Sequence, residues 1–388
     1  LKVYSLSSIV ALARVGSSFY GQFYAQAPVD PALTDLPVLD PAQFWAAHQR
    51  DRREVLTRPL TDGIVFNSGG TTGQPKFSYL SEDECQSSVE ISVRSFDAAL
   101  QEGDRVANFF VAGGLHASYL FATDSIRLAH TNVLHLPIAA HNPFPDSARL
   151  IRDLDVNVLA GIPTHLVKLV EYLAHEGMGH VRFRSILYAG ENFTAAQRAY
   201  LEGLFPGVKI HSAGYASVDA GAMAFADEDC APGEHRVLDA ATILEILDEE
   251  TGVPITQAGQ PGRVIFTSLV RQLMPIIRYP VGDRAVWLEP PGTPMRKFGL
   301  LGRTEEDIAL AGNTVLRISD VRALLEPFRE RLGITKLQVV VATEDGRDGL
   351  TFRLVGGRDK AELAAATPAM IQELASGHPI LAKLIAAG

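Results

Sequence analysis

The sequence predicts an α/β fold with a mainly parallel sheet. Short apolar runs recur between residues 106 and 214, and amphipathic stretches of helical period separate several of them. Such alternation is the mark of strands linked through helices. Glycines and polar residues follow the runs, after 110, 160, 188 and 211. Ligands in parallel sheets sit beyond the carboxyl ends of strands, so these are the places to look for a site. At 388 residues the chain is long for one core, and more than one domain or subdomain is predicted.

Residues 1–60 read as helical and loop-rich, with Pro28, Pro31, Pro37 and Pro41 as punctuation. Phe19, Tyr20, Phe23 and Tyr24 recur at helical spacing, a core-packing pattern. Residues 63–66 and 77–81 read as strands flanking a glycine-rich turn. A helix follows to residue 100, starting near Ser81 with Glu82 and Glu84 in its first turn. Strands are predicted at 106–111, 132–136, 157–161, 185–190 and 208–214, and helices at 163–175 and 194–205. The pattern changes near 240, where a β-rich part is predicted over about 240–300. It includes strands at 241–247, 262–267 and 283–287 and a turn at 248–252. Beyond Arg303 small β and helical segments return: 337–341 and 350–354 are suited to pair, and 359–375 reads as a helix.

Composition narrows the function. Hydrophobic residues are 47% and charged residues 21%, which suits a soluble globular protein. A net charge of −10 argues against a general nucleic-acid binder, which needs clustered cations to displace counterions. No apolar run approaches the roughly 20 residues that span a bilayer, so no membrane partner is predicted. Residues 1–10 show no signal-peptide pattern. Cys85 and Cys230 are the only cysteines, which suits a reducing, cytoplasmic setting better than a disulfide scaffold.

The most informative stretch is Asn67-Ser68-Gly69-Gly70-Thr71-Thr72-Gly73-Gln74-Pro75-Lys76. Backbone N–H groups of such a turn converge on an anion, because glycine allows close approach and positive φ. Hydroxyls and one ammonium add donors and charge, so a polyphosphate is the predicted target. A Walker A loop needs Gly-Lys-Ser/Thr running into a helix. Here Pro75 precedes Lys76 and Phe77 comes after it, and the continuation reads as extended.

Five segments, in order, resemble the acyl-adenylate-forming superfamily and its phenylacetate–CoA ligase-like branch, which includes aryl-acid-activating enzymes of phenazine tailoring. They are the loop of Ser68 to Lys76, Ala189-Gly190-Glu191, Tyr215-Ala216-Ser217-Val218-Asp219, Arg278-Tyr279-Pro280-Val281-Gly282-Asp283, and Gly302-Arg303-Thr304-Glu305-Glu306. The resemblance implies a large multi-subdomain N-terminal domain, 1–303, that binds ATP and the acid. It also implies a small mobile α+β C-terminal domain, 304–388, shorter than the family's. The implied chemistry is attack of a carboxylate on the α-phosphorus of Mg·ATP, release of pyrophosphate, and transfer of the acyl group to CoA, a carrier protein or another nucleophile. A small-molecule carboxylic acid, aromatic by family, is the implied partner. The assembly stays open, with a homodimer as one candidate.

The resemblance also assigns roles. Ser68, Gly69, Gly70, Thr71, Thr72, Gly73 and Lys76 would hold phosphates. Gly190 and Glu191 would line the adenine side, Tyr215 would stack on adenine, and Asp283 would accept from the ribose hydroxyls. Asp219 would hold Mg²⁺, Arg303 would reach ribose or phosphate, and His116 would sit over the acid's carboxylate. Phe109, Phe110, Tyr119 and Tyr188 are candidates for an aryl pocket. Glu305 stands at the family's hinge.

Departures accompany the matches. Asp219 is one methylene shorter than the family's glutamate, and Val218 replaces a hydroxyl residue. Ser217 and Ser212 are candidate substitutes. Ala309 stands where a lysine is common, and no glycine-rich loop with a late lysine is found, Lys383 being the late candidate. Cys230 and His235 echo part of a zinc spacing, but too few cysteines accompany them for a tetrahedral site, so no zinc is expected.

Overall fold

The computed structural model describes residues 1–68, 76–178, 181–303, 307–310, 314–344, 347–356, 360–378 and 381–382. Gly69, Gly70, Thr71, Thr72, Gly73, Glu305 and Lys383 lie outside the described residues, so the roles assigned to them stay expectations. The chain divides into two compact units. The first comprises Leu1–Asn192 and Phe205–Leu301, the second Phe193–Leu204 and Gly302–Gly388.

In the first unit, an antiparallel hairpin of β1 (Ile64–Ser68) and β2 (Lys76–Leu80) brackets the glycine-rich loop, with Ser68 paired to Lys76 at its end. Lys76 opens a strand and not a helix, which excludes the Walker reading. The helix Glu82–Ala99 then begins with a capping box: Ser81 N–H donates to Glu84 at 2.8 Å.

The parallel sheet forms from β3 (Arg105–Phe109), β4 (Leu134–Leu136), β5 (Val158–Gly161), β6 (Ser185–Tyr188) and β7 (Lys209–Ser212), in the order β4-β3-β5-β6-β7. Its pairings are all parallel, so every strand delivers its carboxyl end to one edge. The helix Pro163–His175 opens on proline at its first position, where no N–H is needed. Val158, Leu159, Ile186 and Leu187 are fully buried, as expected for strands covered on both faces.

Two residues after β7 the chain enters an antiparallel sheet of β8 (Tyr215–Ser217), β9 (Gly221–Phe225), β10 (Glu234–Val237), β11 (Thr242–Leu247), β12 (Pro261–Ser268), β13 (Tyr279–Trp287) and β14 (Lys297–Arg303). The order is β11-β12-β13-β14-β10-β9-β8. The β-rich part predicted over about 240–300 therefore begins earlier, at Tyr215. The early strands escape a pattern search because they are short and rich in glycine, serine and alanine, with little alternation to read.

Residues 1–60 brace the segment that leads into β13. Tyr20 donates its hydroxyl to Pro275 O at 2.8 Å, Thr57 Oγ1 donates to Gln272 O at 2.6 Å, and Leu39 N–H donates to Arg278 O at 2.9 Å. Tyr20, Tyr24, Phe44 and Trp45 are buried in one aromatic cluster, the packing role predicted for the helical aromatics. Arg278 is buried with φ of +47°, a left-handed conformation costly for a non-glycine residue. Its guanidinium donates to both carboxylate oxygens of Glu245, at 3.0 and 2.8 Å, and to Leu36 O. Burial pushes the Glu245 carboxyl up, and Arg278 offsets that.

The second unit has its own core. Helix Ile318–Leu332, the hairpin Ile334–Glu344 with Arg347–Gly356, and helix Lys360–Gly377 bury Val321, Leu325, Ile334, Met370 and Leu374. The predicted pairing holds, with Leu337 opposite Leu354 and Val341 opposite Leu350. The helix Ala195–Leu204, placed by sequence within 1–303, groups with this unit through neighbours in Ile318–Leu332 and Ile334–Glu344. No described helix is long and apolar enough to cross a membrane.

The Glu245–Arg278 pair gives a direct test of the brace. Glu245→Ala leaves a buried guanidinium without its carboxylate and should destabilise the first unit by about 3–5 kcal/mol. Urea unfolding followed by tryptophan fluorescence reads this, since Trp45 and Trp287 both belong to that unit's core.

Candidate active site

β13 organises the site. Ile265 pairs with Pro280 and Arg263 with Arg284, so β13 carries more residues than β12 over that stretch and bulges there. Gly282, with φ of +82°, supplies the backbone turn. A bulge re-aims side chains beside it, and the next residue is Asp283. Its Oδ2 accepts from the Tyr215 hydroxyl at 2.5 Å. At the start of the same strand, Tyr279 donates its hydroxyl to Asp219 Oδ2 at 2.9 Å and accepts from the Trp45 indole N–H at 3.0 Å. Lys76 Nζ lies 5.5 Å from the centroid of the Trp45 ring. A continuous chain thus runs from the loop lysine through Trp45 and Tyr279 to Asp219.

Asp219 Oδ1 is buried and has no hydrogen-bond partner. An orphaned carboxylate oxygen is costly unless something meets it, and a cation does so. Among the described residues no group of three or more His, Cys, Asp or Glu could hold a metal. Mg²⁺ is commonly held through one or two carboxylates plus substrate phosphates and waters, and the unpartnered Asp219 Oδ1 is one such oxygen. The donor set therefore fits the expected ion.

Arg271, missed by the sequence reading, lies underneath. It is buried, and its guanidinium donates to Asp219 O at 2.6 Å, Ser78 Oγ at 3.1 Å and Tyr79 O at 2.9 Å. Glu84 accepts from the next two backbone N–H groups, Gln272 and Leu273, at 2.5 and 2.6 Å. An arginine inside the apolar stretch 264–277 was the available signal.

Tyr215 packs against two neighbouring rings. Its ring lies 5.7 Å from His235 and 5.9 Å from Phe298, centroid to centroid. His235 is buried and shares a 2.9 Å hydrogen bond with Ser212 Oγ, at the carboxyl end of β7. Burial pulls the His235 pKa down to about 4, so the imidazole is neutral near pH 7. Ser217 Oγ accepts from Ala220 N–H at 3.0 Å and closes the turn that carries Asp219.

Most of the remaining candidates follow strands of the parallel sheet, with less to hold them together. Gly190 follows β6 with φ of +81°. Glu191 accepts from Thr164 N–H and Oγ1, at 3.1 and 3.0 Å, and so caps the helix after β5. His116 is exposed, in a loop after β3 where Gly113, Gly114 and Leu115 all have positive φ. That loop reaches the hairpin, because Asn67 N–H donates to Leu115 O at 3.0 Å. Phe109, Phe110 and Tyr188 are buried in the core, while Tyr119 is half-buried. Arg303 is exposed at the end of β14.

No protein-family model matches this chain. A phenylacetate–coenzyme A ligase of Pseudomonas putida is 24% identical over 311 residues, covering 76% of this chain and 68% of that protein. The Thermus thermophilus protein of the same name is 25% identical over 357 residues, covering 88% of this chain and 78% of its own length. A solved 2-hydroxyisobutyryl-CoA ligase in complex with 2-HIB-AMP matches with a TM-score of 0.79 at 16% identity, over 96% of this chain and 82% of that one. These likenesses support the resemblance to the acyl-adenylate-forming superfamily and its phenylacetate–CoA ligase-like branch, and the fold is that of an adenylate-forming ligase.

Two measurements probe this geometry. Tyr279→Phe deletes the hydroxyl that holds Asp219 and should weaken Mg·ATP binding about tenfold or more, the scale of one hydrogen bond to a charged group. Calorimetry with Mg²⁺ and with EDTA should show the larger loss with the metal. The second concerns His235. Its folded pKa lies below the unfolded value, so its stabilising effect is complete above about pH 6.5 and is lost as pH falls towards 4. The urea midpoint should fall over that window, and less steeply in His235→Gln.

Proposed function

We propose that this adenylate-forming ligase activates an aromatic carboxylic acid with Mg·ATP and passes the acyl group to coenzyme A. The observation that carries the reading is β13, which ties Asp219 to its first residue, Tyr279, and Tyr215 to its middle residue, Asp283. A nucleotide lying along it would meet a ribose acceptor and a phosphate-side carboxylate in the order the chemistry needs. Bound Mg²⁺ would offset charge on the phosphates. The chain's own residues do the rest. Asp283 accepts from the ribose hydroxyls, with Tyr215 holding its second oxygen. Lys76 meets the β- and γ-phosphates with the hydroxyls of its loop. Asp219 presents its unpartnered oxygen to the cation while Tyr279 fixes the other. Arg303 and Glu305 mark the boundary near which the small domain would turn. His116 would contact the acid's carboxylate from its exposed loop. Support for an aromatic acid comes from the phenylacetate–CoA ligases it resembles.

Val218 and the short Asp219 favour one other reading, an acyl-adenylate binder with little turnover. ATP–pyrophosphate exchange over a panel of aryl and aliphatic acids separates the two: acid-dependent exchange is expected, and none with any acid supports the binder. Asp283→Ala should weaken ATP by about 1.5–3 kcal/mol through loss of a charged acceptor. Equal ATP affinity in variant and parent would remove the ribose assignment.

A further inference from the structure

The Trp45 indole meets two charged groups of the site at once. It lies on the buried face of the helix Pro41–Arg50, which opens with Asp40 accepting from Ala42 N–H at 2.8 Å and with proline at its first position. Just before that helix, Leu39 N–H donates to Arg278 O at 2.9 Å, so the chain is pinned one residue from Tyr279. The indole is buried and stands edge to face with Phe44 and with His48, at 5.2 and 5.3 Å between centroids. Contacts of that kind fix the plane of the ring.

Its edge and its face have different partners. An indole N–H can only donate. It donates to the Tyr279 hydroxyl oxygen at 3.0 Å, so the single phenolic proton is directed to the other neighbour, Asp219 Oδ2, at 2.9 Å. A hydroxyl that accepts one hydrogen bond donates the next more strongly. The ring face lies 5.5 Å from Lys76 Nζ, within reach of a cation–π contact. An ammonium and a carboxylate free to meet would pair and quench each other. Here one Asp219 oxygen is taken by Tyr279, and the other stays buried without a partner.

We propose that Trp45 is a positioning residue for the adenylation site, keeping the loop ammonium and the metal-side carboxylate apart and aimed before the nucleotide arrives. The ring face holds Lys76. The ring edge acts through Tyr279 and leaves Asp219 Oδ1 for the cation. Because both belong to one rigid ring, neither charge can shift without the other. The proposal rests on the reading that this site takes Mg·ATP, and it adds a residue 234 positions from Tyr279 that sets both charges.

The test is calorimetric titration of the full chain with ATP, once in EDTA and once with excess Mg²⁺. The proteins are the parent, Trp45→Phe, Trp45→Leu, Tyr279→Phe and the double variant Trp45→Phe/Tyr279→Phe. The gain in affinity from Mg²⁺ reads Asp219, and the metal-free affinity reads Lys76. Trp45→Phe loses the N–H but keeps an aromatic face, so the gain should fall about threefold or more while most metal-free affinity remains. Trp45→Leu loses both, and its metal-free affinity should fall as well. In the Tyr279→Phe background the relay is already cut, so adding Trp45→Phe should lower the gain no further. A residue that only fills the core would weaken both affinities together and add its full effect in either background. That result overturns the proposal, as does an unchanged Mg²⁺ gain in Trp45→Phe. Trp287 remains to report that each variant is folded; if Trp45→Leu does not fold, the two Phe variants and their double decide the matter. Failure of the parent to bind Mg·ATP removes the adenylation reading and this proposal together, whereas binding by the parent with additive variants removes the proposal alone.

Discussion

The buried guanidinium of Arg271 is the constraint on which the site depends. It joins three stretches far apart in sequence: the strand that leaves the glycine-rich loop, the turn that carries Asp219, and the apolar segment before β13. A buried charge is tolerated only when its surroundings satisfy it. Here the direct acceptors are neutral oxygens, while Glu84 and Asp219 supply negative charge nearby. Moving any one stretch would strip the cation of an acceptor. The hairpin and Asp219 are therefore held in register by the same group.

Above that anchor, distance in sequence turns into order along one strand. Tyr20, Leu39 and Thr57 of the N-terminal segment grip backbone carbonyls at 275, 278 and 272, which fixes where β13 begins. The strand then bulges at Gly282 and re-aims Asp283 towards Tyr215. Arg278, conspicuous in the motif, spends its charge on Glu245 and on Leu36 O and so holds the strand instead of reaching towards the nucleotide. Motif residues divide into those that present a group and those that hold the strand presenting it.

Much of the first unit was legible because strand and helix periods differ. The helix Pro163–His175 and the strand Val158–Gly161 lie where the apolar spacing puts them. Tyr215–Ser217 and Gly221–Phe225 were not legible, since tertiary pairing and not propensity makes them strands. Motif order marked Tyr215, Asp219 and Asp283 as candidates, yet no spacing rule could show that Tyr279 bonds to Asp219. Trp45 and Tyr279 were hidden for a related reason. Each looks like a packing residue in one dimension, and its role comes from neighbours hundreds of positions away or across a strand.

The shortened carboxylate at 219 is best judged in that setting. A glutamate reaches further but loses more side-chain freedom on being fixed. Asp219 gives up the reach, and the structure compensates by fixing its surroundings: Arg271 holds its carbonyl and Tyr279 holds one oxygen. The other oxygen is left buried and unpaired, a state that stores unfavourable desolvation until a cation meets it. On the proposed reading, part of the affinity for the metal-bound nucleotide is relief of that cost. A missing methylene then need not mean a missing function, because preorganisation supplies through the protein what length supplies through the side chain.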